Sequence, residues 1–252
     1  DLKRLGRIHS VAEAKQAFDI ARQTFERVSF DMIYARQDQT LSAWKAELRE
    51  ALGMAMDHLS LYQLTIESGT AFGDRYASGK LRGLPEEDTA AEMYEITQEI
   101  CESAGLPAYE VSNHARPGAE SRHNLIYWRY GDYIGIGPGA HGRITRDRRK
   151  TATIAHQAPG KWLESVEKGS VVETSEPLSG PDQAVEYLLM GLRITDGIDP
   201  ARFEGLAGKA LDQDSVDHLG ALGMITIDGA RLRATARGRA VLNAVIRELL
   251  PD

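Results

Sequence analysis

The sequence predicts an α/β fold: a parallel sheet with helical crossovers, followed by a small winged-helix-like α+β domain. Three observations predict it. Short runs of β-branched and aromatic residues alternate with amphipathic helical stretches up to about residue 113, the pattern of βαβ units. After Pro159 the pattern changes to three helical stretches, a hairpin signal and a last helix. The chain has 252 residues, 42% of them hydrophobic and 27% charged, an ordinary globular composition with room for a medium domain and a smaller one.

Ser10 and Glu13 form a capping box that opens a helix through about Thr24, with Val11, Ala14, Phe18 and Ala21 along one side. Residues 27–34 read as a strand, and Thr40 caps a helix through about Met54 with Leu41, Trp44, Leu48 and Leu52 inward. Residues 58–66 read as the next strand, 85–106 as a long helix with an acidic first turn, and 108–113 as a third strand. Strands joined by such helices pair in parallel, and functional residues gather at their carboxyl ends. That places Asp31, Thr65 and the segment around Asn113 on one candidate face. Residues 175–181 (SEPLSGP) read as a linker, giving domains 1–174 and 175–252. Beyond it come helices at about 182–193, 200–206 and 213–222. A hairpin follows over 224–235, turning at Asp228-Gly229, and then a final helix over 235–250.

Charge and cysteine usage narrow the function. A net charge of -7 argues against a general nucleic-acid binder, since neutralising phosphates needs clustered Lys and Arg. The run Arg143–Lys150 reads as a solvated loop, and Arg231, Arg233, Arg237 and Arg239 are too few to change the balance. No apolar run approaches the ~20 residues of a membrane span. The single cysteine, Cys101, allows no internal disulfide, zinc cage or iron–sulfur cluster, and the default location is cytoplasmic. The start, without Met or a hydrophobic signal core, reads like the tail of one helix in a longer chain.

Residues 121–142, SRHNLIYWRYGDYIGIGPGAHG, concentrate the chemistry. "GIGPGA" (135–140) formally matches a dinucleotide fingerprint, which would need a helix directly after it. Arginines and β-branched residues follow instead, so the glycines are expected to allow a close backbone approach. His114, His123 and His141 lack the spacing of a zinc site. A short helix with Tyr127 and Trp128 packed on the sheet and His123 hydrogen-bonded stays open beside a ligand site.

The stretch HNLIYW (123–128) resembles the HNxxYW signature of the HemW haem chaperones, a branch of the radical SAM superfamily related to oxygen-independent coproporphyrinogen III oxidase. The resemblance continues in family order through LGRIHS (5–10), FDMIYARQDQTLSAW (30–44), HLSLYQLTIESGTAF (58–72) and YEVSNHARPGAES (109–121). GDYIGIGPGAHGR (131–143), LLMGLRITDGID (188–199) and ATARGRAVLNAVI (234–246) complete it. It implies the C-terminal part of a partial (β/α) radical SAM barrel, S-adenosylmethionine (SAM), and a [4Fe-4S] cluster held by a CxxxCxxC loop that these residues do not contain.

It also implies roles for single residues. Arg7, Asp31, Thr65 and His141 align with SAM neighbours, and a guanidinium at Arg7 suits the amino-acid carboxylate. For haem, His123 is the first candidate iron ligand and His141 the second. Tyr127 and Trp128 would line the macrocycle, and Asn124 would orient a histidine or a propionate. No catalytic residue is assigned. The implied function is haem binding and transfer to an acceptor protein that the sequence does not name. The alternative is oxidative decarboxylation of coproporphyrinogen III. Peripheral membrane association and a homodimer are both compatible. Where relatives read IYGLPGQT, this chain reads IYARQDQT (33–40), with Arg36 and Asp38 as a candidate ion pair and altered loop geometry as the expectation.

Overall fold

A computed structural model describes residues 2–170 and 172–251. The chain divides into two compact units, residues 1–120 and 121–252. The pattern change at 175–181 therefore falls inside the second unit.

The first unit opens with helix α1 (Val11–Thr24), whose capping box is present: Glu13 N–H donates to Ser10 Oγ, and Ser10 N–H donates to the Glu13 carboxylate at 2.8 Å. Strand β1 (Asp31–Tyr34), helix α2 (Leu41–Met54) and strand β2 (His58–Gln63) follow, then helices α3 (Ala71–Ala77) and α4 (Glu87–Ser103) and strand β3 (Asn113–Ala115). Strands β1 and β2 pair in parallel, as the βαβ pattern predicts. Helices α2 and α4 cover one sheet face through Trp44, Leu48, Met93 and Cys101, packed on Tyr34, Leu59 and Leu61. Trp44 Nε1 donates to Thr97 Oγ1 at 2.8 Å, so the largest core ring keeps its hydrogen bond.

The third strand corrects the all-parallel expectation. It runs antiparallel to β2, because residues 108–113 do not continue straight. The Glu110 carboxylate accepts from Ser112 N–H and Asn113 Nδ2, Tyr109 N–H donates to Asn113 O, and the chain doubles back before pairing.

The 35–38 loop shows what the IYARQDQT departure does. Ala35 and Asp38 hold φ of 55° and 58°, the left-handed region, at the two positions where the resembled motif IYGLPGQT reads glycine. The Arg36–Asp38 pair gives way to other partners: Arg36 forks onto both Glu47 oxygens at 2.8 and 2.7 Å, and Asp38 takes Arg4 at 2.6 Å. A left-handed alanine costs ~1–2 kcal/mol, partly offset by the chain entropy a glycine would add. Ala35→Gly is expected to raise stability by about 0.5–1 kcal/mol, read as an upward shift of the urea midpoint with unchanged slope.

The second unit begins with helix α5 (Arg122–Trp128), followed by strands β4 (His141–Arg146) and β5 (Arg149–Ile154), helix α6 (Pro159–Glu167) and strand β6 (Thr174–Pro177). The three strands form an antiparallel sheet. This sheet corrects two expectations. Arg143–Lys150 is not a loop but the tip of a hairpin, turned by Asp147 and Arg148 at φ of 50° and 62°. No glycine marks that turn, which is why composition hid it. Likewise 175–181 is no free linker: its first residues pair with β5, and Ser179 caps the next helix.

Helices α7 (Gly180–Gly191), α8 (Pro200–Ala207) and α9 (Gln213–Ala221), the hairpin β7 (Ile225–Asp228) and β8 (Arg231–Ala234), and helices α10 (Ala236–Ala240) and α11 (Leu242–Leu249) complete it. Their core gathers Leu188, Leu192, Ile198, Phe203, Leu232 and Val245. The last helix is broken at Val241, whose φ of -121° and ψ of 32° lie outside the helical range.

Candidate functional site

Helix α5 is short, so its position rests on its caps and neighbours rather than on propensity. Ser121 Oγ accepts from Asn124 N–H at 3.3 Å, which fixes the start and uses the Asn124 backbone at the third helical position. His123 and Tyr127 are four apart and therefore share one helix face. The Tyr127 hydroxyl and His123 Nε2 are 2.9 Å apart, and the rings meet edge-on with centroids at 4.8 Å. Tyr127 in turn meets the Tyr133 ring edge-on at 4.4 Å. His123 is exposed, while Asn124, Tyr127 and Trp128 are half-buried. Trp128 Nε1 is buried and has no hydrogen-bond acceptor among the described residues, a cost of about 1–3 kcal/mol.

The glycine-rich turn is held by backbone. Tyr133 and Arg143 exchange both backbone hydrogen bonds, at 2.8 and 2.9 Å. A Cβ on Gly135 would lie 2.5 Å from the His141 carbonyl oxygen, and one on Gly142 would lie 2.5 Å from Thr153 Oγ1. The glycines thus let one strand press against another, as expected, and the element that follows is strand β4, not a helix. That rules out the dinucleotide reading. His141 opens β4 and is exposed, on the same strand face as Arg143, two residues along. Two large apolar side chains stay uncovered on this turn: Ile134 is 73% and Ile136 86% exposed.

Behind the turn is a charged support that the sequence does not advertise. Arg143 reaches Glu186 on α7 at 2.7 Å, and the Tyr130 hydroxyl donates to the same carboxylate at 2.7 Å. Lys150 is buried, donates to Asp132 at 2.8 Å and sits 4.3 Å over the Tyr130 ring. Burial pushes the Glu186 carboxyl up, but the Arg143 and Tyr130 hydrogen bonds outweigh it and hold the group below the usual glutamate range.

The other sequence-derived positions lie in the first unit. Arg7 is exposed and its guanidinium has no ion pair among the described residues. Asp31 opens β1 instead of closing a strand, and it is exposed, so no burial cost demands a partner. Its register neighbours are Ser60 and, one strand further, Asn113. Ser60 Oγ donates to Asn113 Oδ1 at 2.8 Å, a polar row on the sheet that spacing alone did not single out. Thr65 follows β2 at its carboxyl end, exposed, with its hydroxyl donating to Gln63 O at 3.2 Å. Leu5 and Leu64, neighbours of Arg7 and Thr65, line one small open cleft together with Arg4, Arg36, Gln37 and Phe72.

Among the described residues no group of three or more His, Cys, Asp or Glu is placed to hold a metal ion. Cys101 is fully buried in the core of the first unit, and burial pushes its thiol up to about 12. These residues do not fit a [4Fe-4S] cluster. The α5 surface, with an exposed imidazole, a phenol and uncovered isoleucines, does fit the chemistry of a large apolar macrocycle bearing a metal.

Residues 178–241 match the family model described as the HemN C-terminal domain. Over its full length the structure is similar to "Coproporphyrinogen III oxidase (HemN) from Escherichia coli is a Radical SAM enzyme", with a TM-score of 0.75 at 17% identity, covering 99% of this chain and 61% of that one. Fold and C-terminal domain together define an α/β protein that shares the fold of that enzyme. Among curated proteins, the chain is 36% identical to "Radical S-adenosyl methionine domain-containing protein 1, mitochondrial" of Mus musculus, covering 100% of this chain and 60% of that protein. It is 33% identical to "Heme chaperone HemW" of Escherichia coli (strain K12), covering 100% of this chain and 65% of that protein. The chain is thus similar along its whole length to the HemW haem chaperones and to radical S-adenosyl methionine domain-containing proteins, and over residues 178–241 to the HemN C-terminal domain. It spans about 60–65% of the length of the relatives just named. No helix among the described residues is long and apolar enough to cross a membrane.

Proposed function

We propose that the complete protein is a haem-binding chaperone that passes haem to an acceptor protein, with SAM and a [4Fe-4S] cluster as its radical SAM cofactors and the cytoplasm as its place of action. The observation that carries this reading is the His123–Tyr127 pair of α5, which meets Tyr133 on the turn whose Ile134 and Ile136 are uncovered. Burying an isoleucine yields ~1.5–3 kcal/mol, so a planar apolar ligand gains by covering this turn. His123, Asn124, Tyr127, Trp128 and His141 are its proposed contacts, with binding dependent on His123.

For SAM, the free guanidinium of Arg7 suits the amino-acid carboxylate, and the exposed oxygens of Asp31 and Thr65 suit hydroxyl or amine groups. The cluster would take its cysteine ligands from outside these residues. The boundary at 174/175 is kept as the proposed start of the C-terminal domain.

The test is a haem titration of this chain beside His123→Ala, followed by absorbance. One-to-one saturable binding is expected, weakened about 10–100-fold in a folded His123→Ala protein, with a changed Soret band. Unchanged affinity and spectrum in the variant would remove His123 from the site. The likeness to HemN favours a second reading, coproporphyrinogen III oxidation, which predicts turnover of that porphyrinogen by the complete protein.

A further inference from the structure

We infer that the atom of this chain that meets the iron of ferric haem is the Tyr127 phenolic oxygen, with His123 as its proton acceptor. The inference rests on the haem-binding reading and refines it, since that reading puts His123 nearest the iron.

The geometry decides between the two side chains. Imidazole binds iron through a bare ring nitrogen, and Nε2, the less hindered of the two, already faces the Tyr127 hydroxyl at 2.9 Å. Direct ligation by His123 through Nε2 would have to break that hydrogen bond. The phenolic oxygen has no such conflict. In the tautomer with a bare Nε2 the hydroxyl is the donor, and both lone pairs of its oxygen stay free. Phenolate oxygen is an established ligand for ferric haem iron.

The helix sets the pair up. Residues four apart stand one above the other, so the imidazole and the phenol meet without any movement of backbone. The Tyr133 ring, edge-on to Tyr127 at 4.4 Å, fixes the phenol from the other side. Tyr133 is thus a positioning residue, outside the HNLIYW stretch, and His141 projects from the strand that pairs with it.

The step balances simply. The Tyr127 O–H bond breaks, its proton passes to His123 Nε2, and an oxygen–iron(III) bond forms. No electron is transferred. The resulting imidazolium stays hydrogen-bonded to the phenolate and partly compensates its charge. Iron(II) attracts an anionic oxygen less than iron(III) does, so an added one-electron reductant should weaken this bond.

The experiment is titration of this chain with hemin, with absorbance and resonance Raman spectra, in four forms: unchanged, Tyr127→Phe, His123→Ala and Tyr133→Leu. Circular dichroism checks that each is folded. The unchanged chain is expected to show phenolate–iron charge transfer and enhanced phenolate vibrations. Tyr127→Phe should lose both and bind hemin about 10–100-fold more weakly. His123→Ala should keep the phenolate signature at lower affinity, and Tyr133→Leu should shift it. Dithionite reduction should weaken binding of the unchanged chain more than that of Tyr127→Phe. Hemin binding by the unchanged chain with an imidazole-type spectrum, retained in Tyr127→Phe and lost in His123→Ala, would overturn the inference and leave the haem-binding reading standing. No hemin binding by the folded chain would overturn both.

Discussion

Gly197→Ala is expected to cost more than about 4 kcal/mol, enough to leave the second unit largely unfolded at 25 °C. Gly197 has a φ of 65°, and a Cβ there would lie 2.1 Å from the Leu232 carbonyl oxygen. That oxygen is not free to move. It accepts from Ile198 N–H at 2.9 Å, and Leu232 N–H returns a bond of the same length to Ile198 O. Ile198 and Leu232 are both fully buried, so relieving the clash means parting the bridge that joins the hairpin to the helices. Gly229→Ala is the matched control. Gly229 has a φ of 57° at the tip of the β7–β8 hairpin, but nothing lies near its absent side chain. Only the left-handed cost of ~1–2 kcal/mol applies there. Urea unfolding of both variants reads the difference, and equal midpoints would refute the close-approach argument.

Glu186→Gln should be the next most damaging change, at about 3 kcal/mol at neutral pH. It keeps the shape but removes the charge that Arg143 and Tyr130 share, leaving a mostly buried guanidinium without its anion. The double variant Glu186→Leu with Arg143→Leu should recover much of the loss, since replacing both partners with apolar groups avoids the stranded charge. The pH dependence has a fixed sign. The folded-state pKa of Glu186 lies below its unfolded value, so the folded state binds fewer protons between the two. The stabilisation is therefore complete above the unfolded value, about 4.3, and is lost as pH falls through the folded one. The gap between the unchanged protein and Glu186→Gln should narrow in thermal melts taken from pH 7 to below pH 4. A constant gap would mean that packing, not charge, carries the effect.

The haem and support-cluster experiments address different layers of one surface. Tyr127 and His123 touch the ligand directly in the proposed reading, whereas Glu186, Arg143 and Tyr130 hold the turn from behind. Loss of the Glu186 contacts should lower stability and haem affinity together. Tyr127→Phe should lower affinity with the fold intact.

How far the sequence could be read follows from the range of the forces involved. The α2 helix was legible because Thr40 caps it and Leu41, Trp44 and Leu48 keep helical spacing, all within a few residues, although Ala51 and not Leu52 completes the buried face. The C-terminal helices and hairpin were legible for the same reason, down to the Asp228-Gly229 signal at the hairpin's tip. The resemblance to the HemW chaperones followed from long, ordered motifs, and the His123–Tyr127 pairing was implicit in a spacing of four. The antiparallel course of β3 was not legible, because it depends on a buried Glu110 folding its own segment back. The β4–β5 hairpin was missed because Asp147 and Arg148 adopt a backbone that composition assigns to glycine or asparagine. Asp31 was placed at the carboxyl end of a strand, yet it opens its strand in an exposed position.

By itself, then, the sequence determined the α/β class, the helices with their caps, the resemblance to the HemW chaperones, and which residue types cluster at 121–142. Those are local properties: side-chain period, capping chemistry and φ preference act over a turn or two of chain. Only the tertiary structure decided that Tyr133 closes on Tyr127, that Glu186 braces Arg143 from 43 residues away, and that His123 Nε2 is already engaged. Such contacts depend on where distant backbones come to rest once the core has packed, and no spacing within a single segment encodes that.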